Sequence, residues 1–181
     1  MNTLMHMCCA PCANQPIEVL RRDGIEVAGF WYNPNIHPFT EYRERRNCLR
    51  AYAQEIDLKL IERNDYGLRP FVRAVAEDIE HRCIHCYEMR LDETARQAAE
   101  LGVDSFTSSL FISPYQNHDM MREVAQQAAA RYGVEFLYRD FRPYFRDGQT
   151  FAREHGFYIQ KYCGCVFSEE ERYLKKSKII P

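Results

Sequence analysis

The amino-acid sequence predicts an α/β protein with a mostly parallel sheet and helices on both faces. Short apolar segments alternate with longer segments of helical periodicity, as strands and helices do in βαβ units. Asp23-Gly24 and Gly102 each end a helical segment just before an apolar one, which is typical of short αβ loops. The 181 residues are 46% hydrophobic. We therefore expect one globular domain, 1–181, because a chain of this size can bury roughly two-thirds of its surface.

Each predicted strand is a short apolar run, and each predicted helix is a longer periodic run between two of them. The strands are expected at Thr3–Met7, Glu26–Tyr32, Leu58–Ile61, Asp104–Ser108 and Val134–Tyr138. The helices are expected at Asn14–Arg22, Thr40–Glu55, Pro70–Glu80, Tyr87–Leu101 and Asp119–Tyr132. After Asp140 the alternation stops. The stretch from Arg142 to Cys165 is interpreted as an extended, cysteine-rich excursion.

The charge balance argues against a nucleic-acid binder that works through overall positive charge. Lys and Arg number 24 and Asp and Glu 26, which gives a net charge of −2. Arginines are nevertheless concentrated in Tyr42–Arg46 and in Arg139–Arg146. Because arginine binds phosphate and stacks on bases, these stretches are candidates for a local RNA-binding face. A solvated helix face with ion pairs explains them equally well.

The eight cysteines indicate metal ligation or redox chemistry. No signal-peptide pattern and no run of about 18 apolar residues is present, so we expect a cytoplasmic protein without a membrane partner. In a reducing compartment, clustered cysteines are seldom a disulfide framework. Seven of the eight fall into three clusters, and Cys48 stands alone and is interpreted as structural.

Two of these clusters carry the sulfurs for a metal site. Cys83 and Cys86 form a CxxC just ahead of a predicted helix, and Cys8, Cys9 and Cys12 follow the first predicted strand. A lone CxxC is ambiguous between a redox pair and half of a zinc site. Together the two clusters supply enough thiolates for a four-cysteine iron–sulfur site. A closed zinc site is the structural alternative, although adjacent cysteines are unusual for zinc.

Cys163-Gly164-Cys165 differs from the other clusters. Two thiols separated by one residue can close into a small disulfide ring, and glycine relieves backbone strain between them. The pair is therefore a candidate two-electron store, or else two more metal ligands. The sequence does not rank the roles of Cys12 as a fifth ligand, a substrate contact or a ligand of a second metal.

Other candidates have weaker support. The first strand and Trp31-Tyr32 end at the same predicted edge, where ligands bind in open α/β sheets. The aromatic pair could stack on a base or belong to the core. His85 is a candidate proton shuttle, and Asp78 and Glu80 are candidate caps or metal ligands. No glycine-rich phosphate-binding motif follows any predicted strand.

Five motifs in order resemble the cobalamin-independent, QueH-type epoxyqueuosine reductases, and together they extend from about Leu4 to Ser168. They are His6-Met7-Cys8-Cys9-Ala10-Pro11-Cys12, Phe30-Trp31-Tyr32-Asn33-Pro34-Asn35-Ile36, Arg82-Cys83-Ile84-His85-Cys86-Tyr87-Glu88-Met89-Arg90-Leu91, Thr107-Ser108-Ser109-Leu110-Phe111-Ile112-Ser113-Pro114 and Tyr162-Cys163-Gly164-Cys165-Val166-Phe167-Ser168.

This resemblance implies a Rossmann-like sheet of the adenine nucleotide α-hydrolase type and an oxidoreductase of queuosine biosynthesis. The reaction would reduce the epoxide of epoxyqueuosine, at the wobble position of tRNA, to queuosine with loss of water. A 4Fe-4S cluster would be bound by Cys8, Cys9, Cys83 and Cys86, and Cys163 and Cys165 would form the redox-active disulfide. The resemblance also implies a second metal ion, iron or zinc, beside the cluster. The electron donor, the proton donor, the tRNA contacts and the oligomeric state are not specified by the sequence.

Two other functions compete with this one. A zinc-stabilised RNA-binding module would use the same cysteines without redox chemistry and would be colourless. A thiol–disulfide oxidoreductase would use the CxxC alone and would be active without metal.

Overall fold

A five-stranded sheet forms the centre of the protein in the computed structural model, which describes residues 2–174. The strands are β1 (Asn2–His6), β2 (Glu26–Trp31), β3 (Leu60–Glu62), β4 (Ser105–Ser108) and β5 (Glu135–Phe136). Every adjacent pair is parallel, and the spatial order is β3-β2-β1-β4-β5. The sheet therefore confirms the predicted fold class.

Seven α-helices of residues 2–174 pack around the sheet. They are α1 (Ala10–Arg22), α2 (Phe39–Glu55), α3 (Leu68–Val75), α4 (Arg82–Leu101), α5 (His118–Tyr132), α6 (Phe145–Glu154) and α7 (Val166–Leu174). α4 packs on α5, whereas α1 packs on α2 and α6. Since α1 and α5 connect strands in opposite directions along the sheet, right-handed crossovers put these two groups on opposite faces.

The strand order reverses between β1 and β4. β1 pairs with β4 in the register Leu4 to Phe106, and both strands are fully buried there. Connections leave the carboxyl ends of these two neighbours toward opposite faces, which opens a crevice at that edge. Cys8 follows β1 directly, and Ser109 begins a short 3₁₀ helix directly after β4. The crevice is where the candidate site lies.

Several sequence predictions need correction. The helix predicted at Pro70–Glu80 is α3, which ends at Val75. α1 begins at Ala10 rather than Asn14, because Pro11 is tolerated in a first turn where amide groups have no helical partner. α4 begins at Arg82, so the CxxC lies inside its first turn rather than ahead of the helix. The excursion after Arg142 is not extended throughout, since it contains α6.

Two chain reversals have the predicted form. Gly102 ends α4 with φ 65°, and Gly24 follows α1 with φ 74°. Both are left-handed conformations that glycine adopts without a Cβ penalty. No helix among residues 2–174 combines the length and apolar character needed to cross a membrane.

Candidate redox-metal site

The first cluster is a triad of buried thiols at the junction of β1 and α1. Cys8, Cys9 and Cys12 have Sγ atoms within 4.8 Å of one another, and those of Cys8 and Cys9 are 3.7 Å apart. Cys9 caps α1 in an extended conformation, and Cys12 lies three residues later on the same helix face. Sulfurs in a tetrahedral site with metal–sulfur bonds of about 2.3 Å lie about 3.8 Å apart. The triad is therefore spaced for a shared metal ion.

Electrostatics single out Cys8 within the triad. Hydrogen bonds from the thiols of Cys12 and Cys9 lower its pKa well below the usual range, and His6 and Arg45 add to this effect. Burial raises the pKa of Cys9 instead. The backbone N–H of Cys8 donates to Ser109 Oγ at 3.3 Å, which ties the triad to the end of β4. Cys8 is the thiol of the three that is best prepared to ionise.

The second cluster is the CxxC in the first turn of α4. Cys86 is buried and Cys83 is exposed. Asn35 Nδ2 donates to Cys86 Sγ at 3.2 Å, and the Arg90 guanidinium donates to the same sulfur at 2.7 Å. Burial raises the pKa of Cys86 to about 11. A ligand must be a thiolate, so metal binding and these two donors would have to offset that burial.

The third cluster lies in the loop that leads into α7. Cys163 and Cys165 are free thiols, and a hydrogen bond from Cys165 lowers the pKa of Cys163 to about 7. The same contact raises the pKa of Cys165. Gly164 adopts φ 148°, and a Cβ there would meet Ile36 Cγ1 at 3.2 Å, so the loop requires glycine. The pair is thus in contact and unequally prepared to ionise.

Hydrogen bonds to Arg45 and His37 attach this loop to the rest of the protein. Arg45 donates to the carbonyl oxygens of Cys163 at 3.0 Å and Tyr162 at 2.9 Å. The His37 backbone N–H donates to the Gly164 carbonyl at 2.8 Å, and the Tyr162 hydroxyl donates to the His37 carbonyl at 2.6 Å. These bonds hold three backbone carbonyls of the loop and the Tyr162 side chain against α2 and the segment that follows β2. The loop is therefore held at the carboxyl edge of the sheet.

The structure brings some cysteines of the three clusters into contact and leaves others apart. Cys165 packs with Cys86 in one apolar group that also contains Phe71 and Val75. Gln160, just before the third cluster, donates from Nε2 to Cys12 Sγ at 3.1 Å. Among residues 2–174, only the Cys8, Cys9 and Cys12 triad brings three candidate ligand atoms this close. Cys83 does not join them.

A cavity of about 670 Å³ opens beside these sulfurs. Cys8, Cys12 and Cys163 reach its wall, so all but the CxxC cluster face it. The rest of the wall includes Tyr115, Phe145, Gln160, Lys161 and Arg172. Tyr115 is 84% exposed, and its ring lies edge-on to Phe145 at 5.9 Å. Sequence reasoning missed Tyr115, although an aromatic residue beside Pro114 in a turn is a signal of an exposed loop.

Burial removes two residues from the candidate RNA contacts. Arg45 is 1% exposed and faces Glu41 and the cysteine loop, so it cannot form a surface contact with RNA. Trp31 is completely buried and donates from Nε1 to Tyr42 Oη at 3.1 Å, as a core residue. Arg43 remains exposed beside Glu44.

The minor candidates have partners other than the sulfurs. Asp78 pairs with His81 at 2.8 Å and so caps the approach to α4. His85 is exposed with Glu88 at 3.7 Å. Cys48 is half-buried in α2 outside all three clusters, consistent with a structural role.

Comparisons with known proteins identify the family. The family model described as "Epoxyqueuosine reductase QueH" matches residues 3–171. A protein of that name from Dehalococcoides mccartyi is 39% identical and aligns over 95% of this chain and 94% of its own length. The one from Thermotoga maritima is 33% identical over 97% and 94%.

A solved structure shares the fold alone. It is described as a predicted subunit of a tRNA methyltransferase from Methanocaldococcus jannaschii, with a TM-score of 0.55 and 13% sequence identity. The match covers 98% of this chain and 88% of that one.

Proposed function

Because this chain belongs to the epoxyqueuosine reductase QueH family, we propose that it reduces epoxyqueuosine in tRNA with a 4Fe-4S cluster bound by Cys8, Cys9, Cys83 and Cys86. The observation that carries this proposal is the meeting of free thiols from two distant segments, Cys8 and Cys12 with Cys163, at one cavity. Cys86 of a third segment packs against Cys165 of the same loop. A substrate group in that cavity would lie against both metal-binding and redox-active sulfurs. The alternative of a zinc module without redox chemistry gives Cys163 and Cys165 no role.

The residues present fit a cluster. All four proposed ligands are cysteines, and Cys8, Cys9 and Cys86 are buried at the same edge of the sheet. Asn35 and Gln160 each donate an amide N–H to a cysteine sulfur while their amide oxygens lack a partner within residues 2–174. Amides turned toward sulfur in this way are suited to thiolates. The spacing of the triad also supports a second ion, iron or zinc, that shares cysteines with the cluster.

The reaction needs two electrons and two protons. Both carbon–oxygen bonds of the epoxide break, a carbon–carbon double bond forms, and the oxygen leaves as water. Oxidation of the Cys163 and Cys165 dithiol to a disulfide releases two electrons and two protons, which balances the equation. An external electron donor must then reduce the disulfide. When bound, the cluster supplies electron transfer in single-electron steps.

Residues of the chain itself ionise and position the thiols for this electron transfer. Cys163 has a pKa of about 7, so a large fraction is thiolate at neutral pH, and it faces the cavity. Arg45 and His37 hold its backbone so that the sulfur stays at the cavity wall. Lys161 and Arg172 supply positive charge at the same wall for a phosphate of the substrate.

The proposed substrate also explains the modest charge of the protein. An anticodon loop offers unstacked bases, which a local aromatic and cationic surface can bind. Free thiols and a tRNA substrate favour the cytoplasm.

Nucleoside analysis of tRNA tests the proposal. Protein purified without oxygen is incubated with epoxyqueuosine-containing tRNA and a reductant, and the digested nucleosides are quantified by mass spectrometry. Queuosine should form with the wild type and with the control Cys48→Ala, and should be absent with Cys86→Ala. No queuosine from wild-type protein that contains iron and sulfide would contradict the proposal.

A further inference from the structure

Arg90 is a buried cation that points at a proposed cluster ligand. It lies in the third turn of α4 and is 3% exposed. Its Nε donates to the Cys86 carbonyl at 3.0 Å and its guanidinium to Cys86 Sγ at 2.7 Å. One turn further on, the Thr94 hydroxyl donates to the Arg90 carbonyl at 2.6 Å. The side chain is thus directed at the sulfur by its own helix.

No carboxylate of the described residues balances this charge. Arg45 and Arg82, the other buried arginines, face Glu41 and Glu171, each at 2.7 Å. Within residues 2–174, no carboxylate oxygen lies within ion-pair distance of Arg90. An isolated charge taken out of water is strongly unfavourable. The buried Arg90 guanidinium therefore favours a negatively charged group at the position of the cysteines.

The groups that interact most strongly with Arg90 electrostatically are sulfurs. They belong to Cys86, Cys8 and Cys163, with the Tyr87 hydroxyl after them, and Cys86 and Cys8 are proposed ligands. Four thiolates give a bound cluster a net negative charge, so the cluster is the missing partner. Asn35 supplies a second N–H to the same Cys86 sulfur, but it carries no charge.

We propose that Arg90 is the counter-charge of the iron–sulfur cluster and raises its reduction potential. This inference rests on the cluster of the proposed function. Taking up one electron makes the cluster more negative, and a nearby buried cation stabilises the reduced form more than the oxidised form. Net charge and hydrogen bonds to sulfur are the features by which proteins set such potentials. Arg90 is therefore a tuning residue that acts through Cys86.

Redox titration of the purified holoprotein tests this. The cluster is reduced stepwise with dithionite without oxygen, and its reduced form is followed by electron paramagnetic resonance to give a midpoint potential. Arg90→Gln removes the charge, and Arg90→Lys keeps it but loses the planar fork. Arg96→Gln is the matched control, because Arg96 lies on the same helix but is half-exposed and paired with Glu93 and Glu100. Iron and sulfide are measured for every variant.

The expected result is a more negative potential for Arg90→Gln, with Arg90→Lys and Arg96→Gln close to the wild type. If Arg90→Gln cannot hold the cluster, the proposal still requires Arg90→Lys to hold it at an unchanged potential. An unchanged potential in Arg90→Gln would overturn the proposal. The proposal would also be overturned if Arg90→Lys lost the cluster or changed its potential, because the planar guanidinium rather than the positive charge would then be required. Wild-type protein without iron and sulfide would refute the cluster itself, and this inference with it.

Discussion

The Arg45 guanidinium donates a hydrogen bond to the backbone carbonyl of Cys163, 118 residues away in the sequence. One buried side chain of α2 thereby fixes the loop that carries the proposed redox pair. The same guanidinium lies 2.7 Å from the Glu41 carboxylate, which also accepts a hydrogen bond from Tyr158. The position of the loop therefore depends on a buried ion pair.

Arg45→Met should lower the free energy of unfolding by about 3–5 kcal/mol, because it leaves Glu41 buried without its partner. Urea denaturation followed by circular dichroism measures this. Arg43→Met is the control, since Arg43 is exposed, and should change the value by less than about 0.5 kcal/mol. If both substitutions lowered the free energy of unfolding equally, the buried ion pair would not stabilise the protein more than an exposed arginine does.

The pair Cys163 and Cys165 is expected to cycle between dithiol and disulfide without binding the cluster. The variant with both Cys163→Ser and Cys165→Ser should keep its iron, sulfide and brown colour but fail at multiple turnover. A chemically prereduced cluster should still allow partial single-turnover reduction if the pair only relays electrons. Loss of iron from this variant would make the two residues ligands, whereas Cys48→Ser should behave as the wild type.

His37 should make stability sensitive to acid. Burial lowers its pKa from 6.5 to about 4. Its Nε2 donates to the Pro34 carbonyl, and its Nδ1 accepts from the Val166 N–H, which leaves no room for a second proton. Between pH 6.5 and pH 4 the unfolded chain binds a proton that the folded chain does not. Stability should therefore fall as the pH falls, by at most about 3 kcal/mol for this group.

Urea denaturation at pH 7 and pH 4.5 checks that expectation. His6 also has a pKa lowered to about 4 by burial, so both residues contribute to the wild-type slope. In His37→Gln the decrease in stability between pH 7 and pH 4.5 should be about half of that in the wild type. His155→Gln is the control, because His155 is exposed. A slope in His37→Gln equal to that of the wild type would refute the role of His37.

Tyr115 should contribute to tRNA binding by stacking on a base next to the modified nucleotide. Its ring is 84% exposed at the mouth of the cavity. Its loop is fixed by the Tyr87 hydroxyl, which donates to Gln116 at 2.6 Å. Because stacking on an aromatic ring contributes about 1–3 kcal/mol per base, Tyr115→Ala should weaken binding about fivefold or more.

Fluorescence anisotropy with an anticodon stem–loop at fixed salt measures this effect. Tyr115→Phe keeps the ring and should bind as the wild type. If Tyr115→Ala also binds as the wild type, the substrate approaches the cavity from another side.

Much of the fold follows from local patterns, and the sheet is the best example. The apolar runs of β1, β2 and β4 are buried strands that alternate with helices, so a parallel sheet is the expected solution. α6 escaped prediction for a physical reason. Gly148 lowers its helix propensity, yet Gly148 is needed there because a Cβ would meet Asn14 Oδ1 of α1 at 3.1 Å.

Only the reactive atoms of the candidate site, the cysteine sulfurs, could be predicted from the sequence. Clustering identified the cysteines, and the end of a strand put Cys8 at the ligand-binding edge. The contacts of Arg45 and Arg90 were hidden, because an arginine in a charged helix has the pattern of a solvated face. Burial of those two side chains arises from packing between elements distant in sequence, which no local pattern records.

Cys83 tests the central claim most directly, because it is the one proposed ligand that lies exposed and apart from the triad. The measurement is iron and acid-labile sulfide per chain in anaerobically purified Cys83→Ala, with Cys12→Ala and Cys48→Ala alongside. The account predicts a marked loss of both in Cys83→Ala, and retention of the cluster in the other two. Full occupancy in Cys83→Ala would contradict it, and loss in Cys12→Ala alongside would make Cys12 the fourth ligand.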